Sequence, residues 1–440
     1  GKAYGTVTFW ALDADGDPEV SFKLPVHGGP SPDGNDVARA AGLEPARAEA
    51  LQRAPEFQPE QSAAVERFST FSMNVADVSF KLAQASLDAG QLPSPAQVRA
   101  EEFLNAFNYR DPQPASGLPV GFNWERARHP LVHNRDVLRL SVQTAAAGRG
   151  AGQPLNVVLL LDNSGSMERA DRVRTLREGL QALAGQLKEG DVVSVVAFAR
   201  TPRVWVDGLP GNRAAELPGQ VGELVPEGGT NLGDALRVGY DVAQRHFLPN
   251  GGNHIVLLTD GAANLGDVEP RNLVSLVTQN RSRGIALSAF GVGWEGYNDA
   301  LLEQLSRNGD GRYGFMNTPE EARSEFVSKL AGALQVAAAD VKVQVEFNPA
   351  RVRTWRQVGY AQHQLSQEQF RDNTVDAAEI GAAESGNALY FVETIPDGVG
   401  PIGQVRVRYR VPETGAYEEH DWAMPYTRSE ERRVGKEGRS

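Results

Sequence analysis

The sequence contains no cysteine, which excludes disulfide bonds, thiolate metal sites and cysteine nucleophiles together. It also contains no uninterrupted apolar run near the length of about 18 residues that marks a membrane-spanning helix. Positive charge is scarce, because 44 Lys and Arg residues face 56 Asp and Glu residues and the formal net charge is -12. A surface this acidic repels nucleic acid and anionic lipid, so we expect neither as a partner.

Apolar residues are present in sufficient number for more than one core. The chain has 440 residues, of which 41% are hydrophobic, and this supports two or three domains. The 26 prolines and 46 glycines predict long loops or several β-rich segments. The sequence begins at Gly1, so we expect any signal segment or lipid anchor to lie outside it.

Changes in residue pattern divide the chain into six segments. They are an N-terminal β-hairpin at 1–24, a Pro-, Gly- and Ala-rich linker at 25–62, a helical and β N-terminal domain at 63–153, an α/β domain at 154–335, a C-terminal β-rich domain at 336–427 and a charged tail at 428–440. The tail has almost no apolar residues and resembles a translated sequencing adapter. We expect it to be non-native, with a disordered charged tail as the alternative.

The segment 154–335 has the clearest pattern. Strand-like apolar runs alternate with amphipathic helical stretches, which predicts a doubly wound, mostly parallel sheet with helices on both faces. The predicted strands are Leu155–Leu161, Val192–Phe198, His254–Thr259, Ile285–Gly291 and Arg312–Met316, with Val204–Val206 as a possible short edge strand. Ligands of such sheets bind beyond the carboxyl ends of the strands.

Five oxygen-bearing side chains follow these strands in three separate loops. They are Asp162, Ser164, Ser166, Thr230 and Asp260. Two are anionic carboxylates and three are neutral hydroxyls, and the set contains neither His nor a thiolate. Hard oxygen donors of this kind suit Mg²⁺, Mn²⁺ or Ca²⁺ rather than Zn²⁺ or Cu²⁺. We therefore predict a divalent metal site at one edge of the sheet.

The composition of this predicted site also suggests what it binds. An ion such as Mg²⁺ prefers six oxygen ligands, so five side chains leave at least one position to solvent. The hydroxyls contribute little negative charge, and the ion therefore stays electrophilic. An external Asp or Glu side chain that completes the shell would replace a weakly held water by an ionic bond. We predict a protein ligand with an exposed acidic side chain.

The pattern Asp162-x-Ser164-x-Ser166, followed by Thr230 and Asp260, resembles the metal-ion-dependent adhesion site of von Willebrand factor type A (vWA) domains. The resemblance covers 154–334 and implies coordination by these five positions, with a sixth ligand from a partner. Three flanking segments look like those of a bacterial vWA family of the YfbK type: Phe68–Ser72, Gly90–Pro93 and Glu101–Asn105. The segment Met73–Asp77 is less acidic than that family's pattern.

This second resemblance implies an exported protein, often a lipoprotein, with a C-terminal domain like 341–426. Together the two resemblances imply a non-enzymatic, metal-dependent protein-binding module of the cell envelope, periplasmic or extracellular. Contact with a membrane would then depend on a lipid anchor outside this sequence.

Two other functions are compatible with the same residues. One is a metal-dependent hydrolase whose ion activates water, although no His or additional carboxylate is placed in the three loops to act as a base. The other is an assembly factor that works with an ATPase.

Gly291–Gly296 fits a dinucleotide fingerprint in form, but it follows a late strand and contains the bulky Trp294. We interpret Trp294 and Tyr297 as residues of the metal rim or of a contact with a neighbouring domain.

Overall fold

The computed structural model describes residues 4–12, 18–27, 58–115, 117–132, 134–145, 153–221, 224–260, 269–293, 298–322, 336–375, 377–412 and 414–426. The predicted tail at 428–440, Trp294 and Tyr297 lie outside these ranges. No helix of the described part is long and apolar enough to span a membrane.

Strands and helices are numbered in chain order. The strands are β1 (Tyr4–Leu12), β2 (Pro18–His27), β3 (Gln61–Ser62), β4 (Phe68–Ser72), β5 (Val120–Arg128), β6 (Asp136–Thr144), β7 (Leu155–Asp162), β8 (Val192–Phe198), β9 (Arg203–Pro210), β10 (Gly252–Thr259), β11 (Ile285–Val292), β12 (Tyr313–Met316), β13 (Val336–Phe347), β14 (Val352–Val358), β15 (Gln364–Leu365), β16 (Ala378–Gly381), β17 (Ser385–Thr394), β18 (Gly403–Arg410) and β19 (Tyr417–Met424). The α-helices are α1 (Val78–Asp88), α2 (Ala100–Asn105), α3 (Ala170–Ala184), α4 (Leu217–Val221), α5 (Leu232–Arg245), α6 (Pro270–Arg281), α7 (Asp299–Asn308) and α8 (Pro319–Glu321).

The N-terminal hairpin consists of β1 and β2, which pair antiparallel with Phe9 opposite Phe22. Alternation of apolar and polar residues in both strands predicts this pairing. The second strand continues to His27, three residues beyond the predicted end of the hairpin. The hairpin belongs to a compact unit of its own.

The α/β segment forms a six-stranded sheet in the order β12-β11-β10-β7-β8-β9. All strands pair parallel except β9, which pairs antiparallel with β8 as an edge strand. Every residue of β7 is buried, which is the pattern of a strand covered on both faces. Two hydrophobic clusters, one on each side, contain alternating residues of the central strands. The predicted doubly wound α/β fold is confirmed.

The helices of this unit are close to those that the sequence predicts. Amphipathic periodicity in the sequence predicts helices at 173–187, 232–244, 271–283, 299–306 and 320–334. The stretch at 232–244 is observed as α5, and the one at 173–187 begins three residues earlier as α3. Helix α5 packs closely on the sheet, because a Cβ at Gly239 would lie 2.6 Å from a methyl group of Leu160. Of the helix predicted at 320–334, only α8 is described.

The predicted division of the remaining chain into separate domains at 63–153 and 336–427 differs from the structure. The two segments share both sheets of a single β-domain, in the orders β3-β14-β17-β6-β5 and β15-β4-β13-β18-β19, with β16 paired to β13. Strand β4 lies against β13, and β6 lies against β17. Side chains from both segments fill one hydrophobic cluster. Alternation within a strand reveals its two faces but not a partner about 270 residues away.

Several strands of this domain were not foreseen. Strand β3 falls inside the predicted linker 25–62, and β4 coincides with the flanking motif Phe68–Ser72, for which the sequence predicts no strand. Strands β5, β14 and β19 carry charged residues on a solvent face, so their apolar content is low. A half-exposed strand with a charged outer face gives a weak periodic signal.

The segment between β4 and β5 connects the β-domain to the α/β unit. Val78 and Leu82 of α1 belong to a core cluster of the α/β unit. In α2, Glu101 Oε2 accepts the backbone N–H of Tyr360 at 3.0 Å. The side chain of Asn105 donates to the carbonyl of Asn74 at 2.9 Å. The flanking motif Glu101–Asn105 therefore has a structural role, and so does the Met73–Asp77 segment that it holds.

Candidate metal centre at the carboxyl edge of the sheet

Two parallel strands bring the two predicted carboxylates to one edge. Strand β7 ends at Asp162 and β10 ends at Thr259, directly before Asp260. In the register of the two strands, Leu161 lies opposite Leu258. The Thr259 hydroxyl accordingly donates to Asp162 Oδ2 at 2.5 Å. Both carboxylates are almost fully buried, with Asp162 2% and Asp260 1% exposed.

The two predicted serines lie in the loop after β7. The backbone N–H of Ser164 donates to Asp162 Oδ1 at 2.9 Å, which folds the loop back over the strand end. The Ser164 and Ser166 hydroxyl oxygens are 2.9 Å apart. Ser164 is buried whereas Ser166 is exposed. The alternate spacing thus places both hydroxyls on the same side of the loop, with one of them open to solvent.

The loop that carries Thr230 is held against the first loop by backbone contacts. The N–H of Glu227 donates to the Asn163 carbonyl at 2.9 Å, and Ser164 forms a parallel bridge with Glu227. The Asn163 side chain also donates to the Val225 carbonyl at 2.6 Å. Thr230 itself is 2% exposed and lies just before α5. All three loops therefore meet at this edge, and we call Asp162, Ser164, Ser166, Thr230 and Asp260 the edge site.

Charge is distributed unevenly between the two carboxylates. The hydrogen bonds to Asp162 come from neutral donors, the Thr259 hydroxyl and the Ser164 N–H. Burial raises the pKa of Asp162 to about 6, and the nearby Asp260 carboxylate adds to the rise, while the bonds from Thr259 and Ser164 oppose it. Asp162 is thus a carboxylate whose negative charge is poorly compensated.

Asp260 has a cationic neighbour that the sequence did not reveal. The Arg172 guanidinium nitrogen Nη1 lies 2.6 Å from Asp260 Oδ2 and donates to the Ser166 carbonyl at 3.1 Å. Arg172 is 4% exposed and belongs to the first turn of α3. In the sequence, Glu168 and Arg169 directly follow the first loop, and they are interpreted either as residues that help to select a partner or as a solvated helix start. Arg169 is exposed, and the side chain of Glu168 lies outside the described residues. Helical periodicity in the sequence identifies Arg172 only as one of several polar residues of the helix. It does not predict that the side chain contacts Asp260 at the edge of the sheet.

The donor set fits a hard divalent cation. It combines two carboxylates with three hydroxyls, which are the ligand types that Mg²⁺, Mn²⁺ and Ca²⁺ take. Within the described ranges, no three residues among His, Asp and Glu are grouped so that they could hold a metal by themselves. The buried histidine His254 lies near the start of β10, at the end of the strand opposite the edge site. Its ring nitrogen contacts the Ser288 hydroxyl at 2.8 Å. It therefore supplies neither a nitrogen ligand nor a base to the edge.

Comparison with known families agrees with this arrangement. The family model described as von Willebrand factor type A domain matches residues 156–329, which include all five residues of the edge site. The model described as "Uncharacterized protein YfbK, C-terminal" matches 332–428, and one described as "von Willebrand factor" matches 48–139. The α/β unit is thus a vWA domain, and the segments on both sides of it are similar to YfbK-type proteins.

Individual proteins are similar to large parts of the chain. "Uncharacterized protein YfbK" of Escherichia coli (strain K12) is 34% identical over 339 residues, which cover 76% of this chain and 59% of YfbK. The chain therefore spans about three-fifths of the length of that relative. "Uncharacterized protein sll0103" of Synechocystis is 26% identical over 63% of this chain and 67% of its own. Among solved structures, a von Willebrand factor type A protein from Catenulispora acidiphila covers 72% of this chain and 76% of its own, at 20% identity and a TM-score of 0.44.

The vWA domain accounts for the α/β unit, and the YfbK-type flanks account for the β-domain. The YfbK C-terminal match covers β13 to β19, whose strands pair with β4 and β6 from the N-terminal flank. In this chain the vWA domain is thus inserted between two parts of one β-domain. Domains of the vWA family often mediate protein–protein interaction.

Proposed function

We propose that this protein is a metal-ion-dependent protein-binding module of the bacterial cell envelope. The observation that carries the proposal is the buried Asp162 carboxylate, whose hydrogen bonds come from neutral donors and which lies near a second carboxylate. Uncompensated buried charge is costly, so such an arrangement favours binding of a cation. In this proposal, the interaction role of vWA domains takes the form of binding an acidic side chain of a partner at a divalent cation.

The residues that would hold the ion are the five of the edge site. Asp162 and Asp260 supply anionic oxygens, and the three hydroxyls supply neutral ones. The described contacts already fix Asp162, Ser164 and Ser166 relative to one another, so little ordering is needed on binding. When bound, a divalent ion would offer an open coordination position to an external carboxylate.

The surroundings of the edge site favour a protein ligand. Ser166 is exposed, which leaves one side of the site accessible. Val225, in the loop beside Asn163, is 75% exposed and offers apolar surface next to it. An acidic side chain flanked by apolar residues would satisfy both features. The location in the envelope rests on the resemblance to exported YfbK-type proteins, and fractionation of cells that naturally produce this protein would test it.

The proposal is tested by titrating MgCl₂ and MnCl₂ into the EDTA-treated chain in a calorimeter. We expect one site in the wild type and none in Asp162→Ala, with the fold retained by circular dichroism. Asp207→Ala is the matched control, because Asp207 is an exposed carboxylate on β9 bound to Arg245 and His246. Lack of binding in the wild type would rule the metal site out.

Capture of an acidic side chain needs a second measurement. Peptide arrays that differ only in Asp or Glu against Asn or Gln should show binding that depends on both the acid and Mg²⁺. Peptide binding that persists unchanged in EDTA would refute the capture mechanism even if the metal binds.

A further inference from the structure

We propose that Arg172 is a built-in counter-charge of the edge site, which weakens its hold on the metal and strengthens its attraction for an anionic ligand. This inference rests on the proposed function and assigns to Arg172 a positioning role through Asp260. It concerns a residue outside the five oxygen donors. Its support comes from the contacts of Arg172, the room made for its side chain and the charge of the site.

The contacts of Arg172 join two of the three loops. One nitrogen, Nη1, lies 2.6 Å from Asp260 Oδ2, after β10, and also donates to the Ser166 carbonyl at 3.1 Å, after β7. The side chain is buried, so water screens this pair little. Charge-assisted bonds of this length are strong. Arg172 therefore fixes the orientation of the Asp260 carboxylate relative to the serine loop.

A glycine makes room for this arginine. Gly293 directly follows β11 and has a φ of +78°, a conformation that L side chains rarely adopt. A Cβ there would lie 2.6 Å from Arg172 Nε and 3.1 Å from Cζ. The backbone after β11 thus lies against the guanidinium group. This gives a structural reason for one glycine of the Gly291–Gly296 pattern that needs no dinucleotide.

The charge balance follows from these contacts. Asp162 and Asp260 contribute two negative charges and Arg172 one positive charge, so the local sum is about -1. With a divalent ion the sum becomes about +1, whereas without Arg172 it would be about zero. A fixed cation next to one ligand lowers the affinity for another cation. The same cation leaves the loaded site with net positive charge, which attracts an external carboxylate.

The test compares Arg172→Gln with Arg172→Lys by calorimetric titration of MnCl₂ into EDTA-treated protein at pH 7. Removal of a buried charge this close to the site should tighten Mn²⁺ binding by at least about tenfold in Arg172→Gln. Arg172→Lys keeps the charge and should remain within about threefold of the wild type. Arg174→Gln is the matched control, since Arg174 lies on the same helix but is exposed, and it should not change the affinity.

A second titration adds sodium acetate to each Mn²⁺-loaded protein, and acetate should bind more weakly to Arg172→Gln than to the wild type. Unfolding temperature in EDTA separates these effects from a loss of fold. A merely structural arginine would lower that temperature and weaken Mn²⁺ binding in both Arg172 variants, which would overturn the inference. If the wild type binds Mn²⁺ and Arg172→Gln binds it with the same affinity, the inference about Arg172 is also overturned. The proposed metal site would not be affected by that result. Failure of both proteins to bind Mn²⁺ would instead overturn the proposed function.

Discussion

Two buried clusters in this chain combine arginine with carboxylates, and they do so in opposite ways. In the first, at the contact of α2 with α7, Arg99 Nε lies 2.5 Å from Glu102 and its Nη1 lies 2.5 Å from Asp299. We call these three residues the junction cluster. At the edge site, Arg172 pairs with Asp260, whereas the hydrogen bonds to Asp162 come from neutral groups. In the junction cluster the one arginine contacts both carboxylates, whereas at the edge site the one arginine is hydrogen-bonded to Asp260 and the hydrogen bonds to Asp162 come from neutral groups.

Under the proposed function, this difference is the one expected between a structural cluster and a binding site. In the junction cluster each carboxylate also accepts a neutral donor, the Ser79 N–H for Glu102 and the Tyr313 hydroxyl for Asp299. Its members come from segments that are far apart in the chain, so it fastens the N-terminal flank to the vWA domain. The edge site lies on loops after strands, with Ser166 exposed. Burial and acidity alone do not distinguish the two clusters, but the source of the compensating charge does.

The largest effect is expected when the junction cluster loses its cation. Replacing Arg99 by Met would leave Glu102 and Asp299 buried without their partner, and such losses cost about 3–5 kcal/mol. We expect the free energy of unfolding in urea to fall by that amount. Arg237→Met removes an arginine from an exposed pair with Asp234 and should cost about 0.5 kcal/mol or less. Equal losses in the two variants would contradict a structural role for the junction cluster.

A second prediction concerns Asp162 and has the opposite sign. Its pKa of about 6 in the folded state exceeds the ordinary value of 3.8. The folded chain therefore binds more protons than the unfolded chain between these values, and stability falls as the pH rises from about 4 to 6. Above pH 6 the full cost is present, on the order of 3 kcal/mol. Asp162→Asn should remove it in metal-free protein.

Urea unfolding in EDTA at pH 4 and pH 7 measures this effect. The variant should be more stable than the wild type at pH 7 and similar to it at pH 4. Added Mg²⁺ should stabilise the wild type and not the variant, because binding to the folded state adds to its stability. Parallel pH profiles for the two proteins would show that the charge of Asp162 is compensated in the folded chain.

Sequence inspection finds the α/β fold and brings the two carboxylates of the edge site together, but it misses Arg172 and the shared β-domain. Asp162 and Asp260 follow buried strands whose carboxyl ends meet, so local patterns suffice to bring them together. Arg172 escapes such inspection, because its contact with Asp260 depends on how α3 lies against β11. The shared β-domain escapes it for a related reason: β4 and β13 are each recognisable as extended, but nothing local specifies that they pair. Contacts between distant segments are set by the packing of whole elements.

The smallest effect on stability is expected for a substitution at Ser166. This substitution also tests the contrast between the edge site and the junction cluster most directly. Ser166 is exposed and its hydroxyl contacts the Ser164 hydroxyl at 2.9 Å, while Arg172 binds its backbone carbonyl. Ser166→Ala keeps that carbonyl and should change the free energy of unfolding by about 0.5 kcal/mol or less. It removes one proposed ligand, however, so the affinity for Mn²⁺ should fall by at least about tenfold. Arg99→Met should show the reverse, a large loss of stability with the Mn²⁺ affinity of the folded protein kept. If Ser166→Ala left Mn²⁺ binding intact, the serine hydroxyls would belong to the structure of the loop, and the edge site would resemble the junction cluster after all.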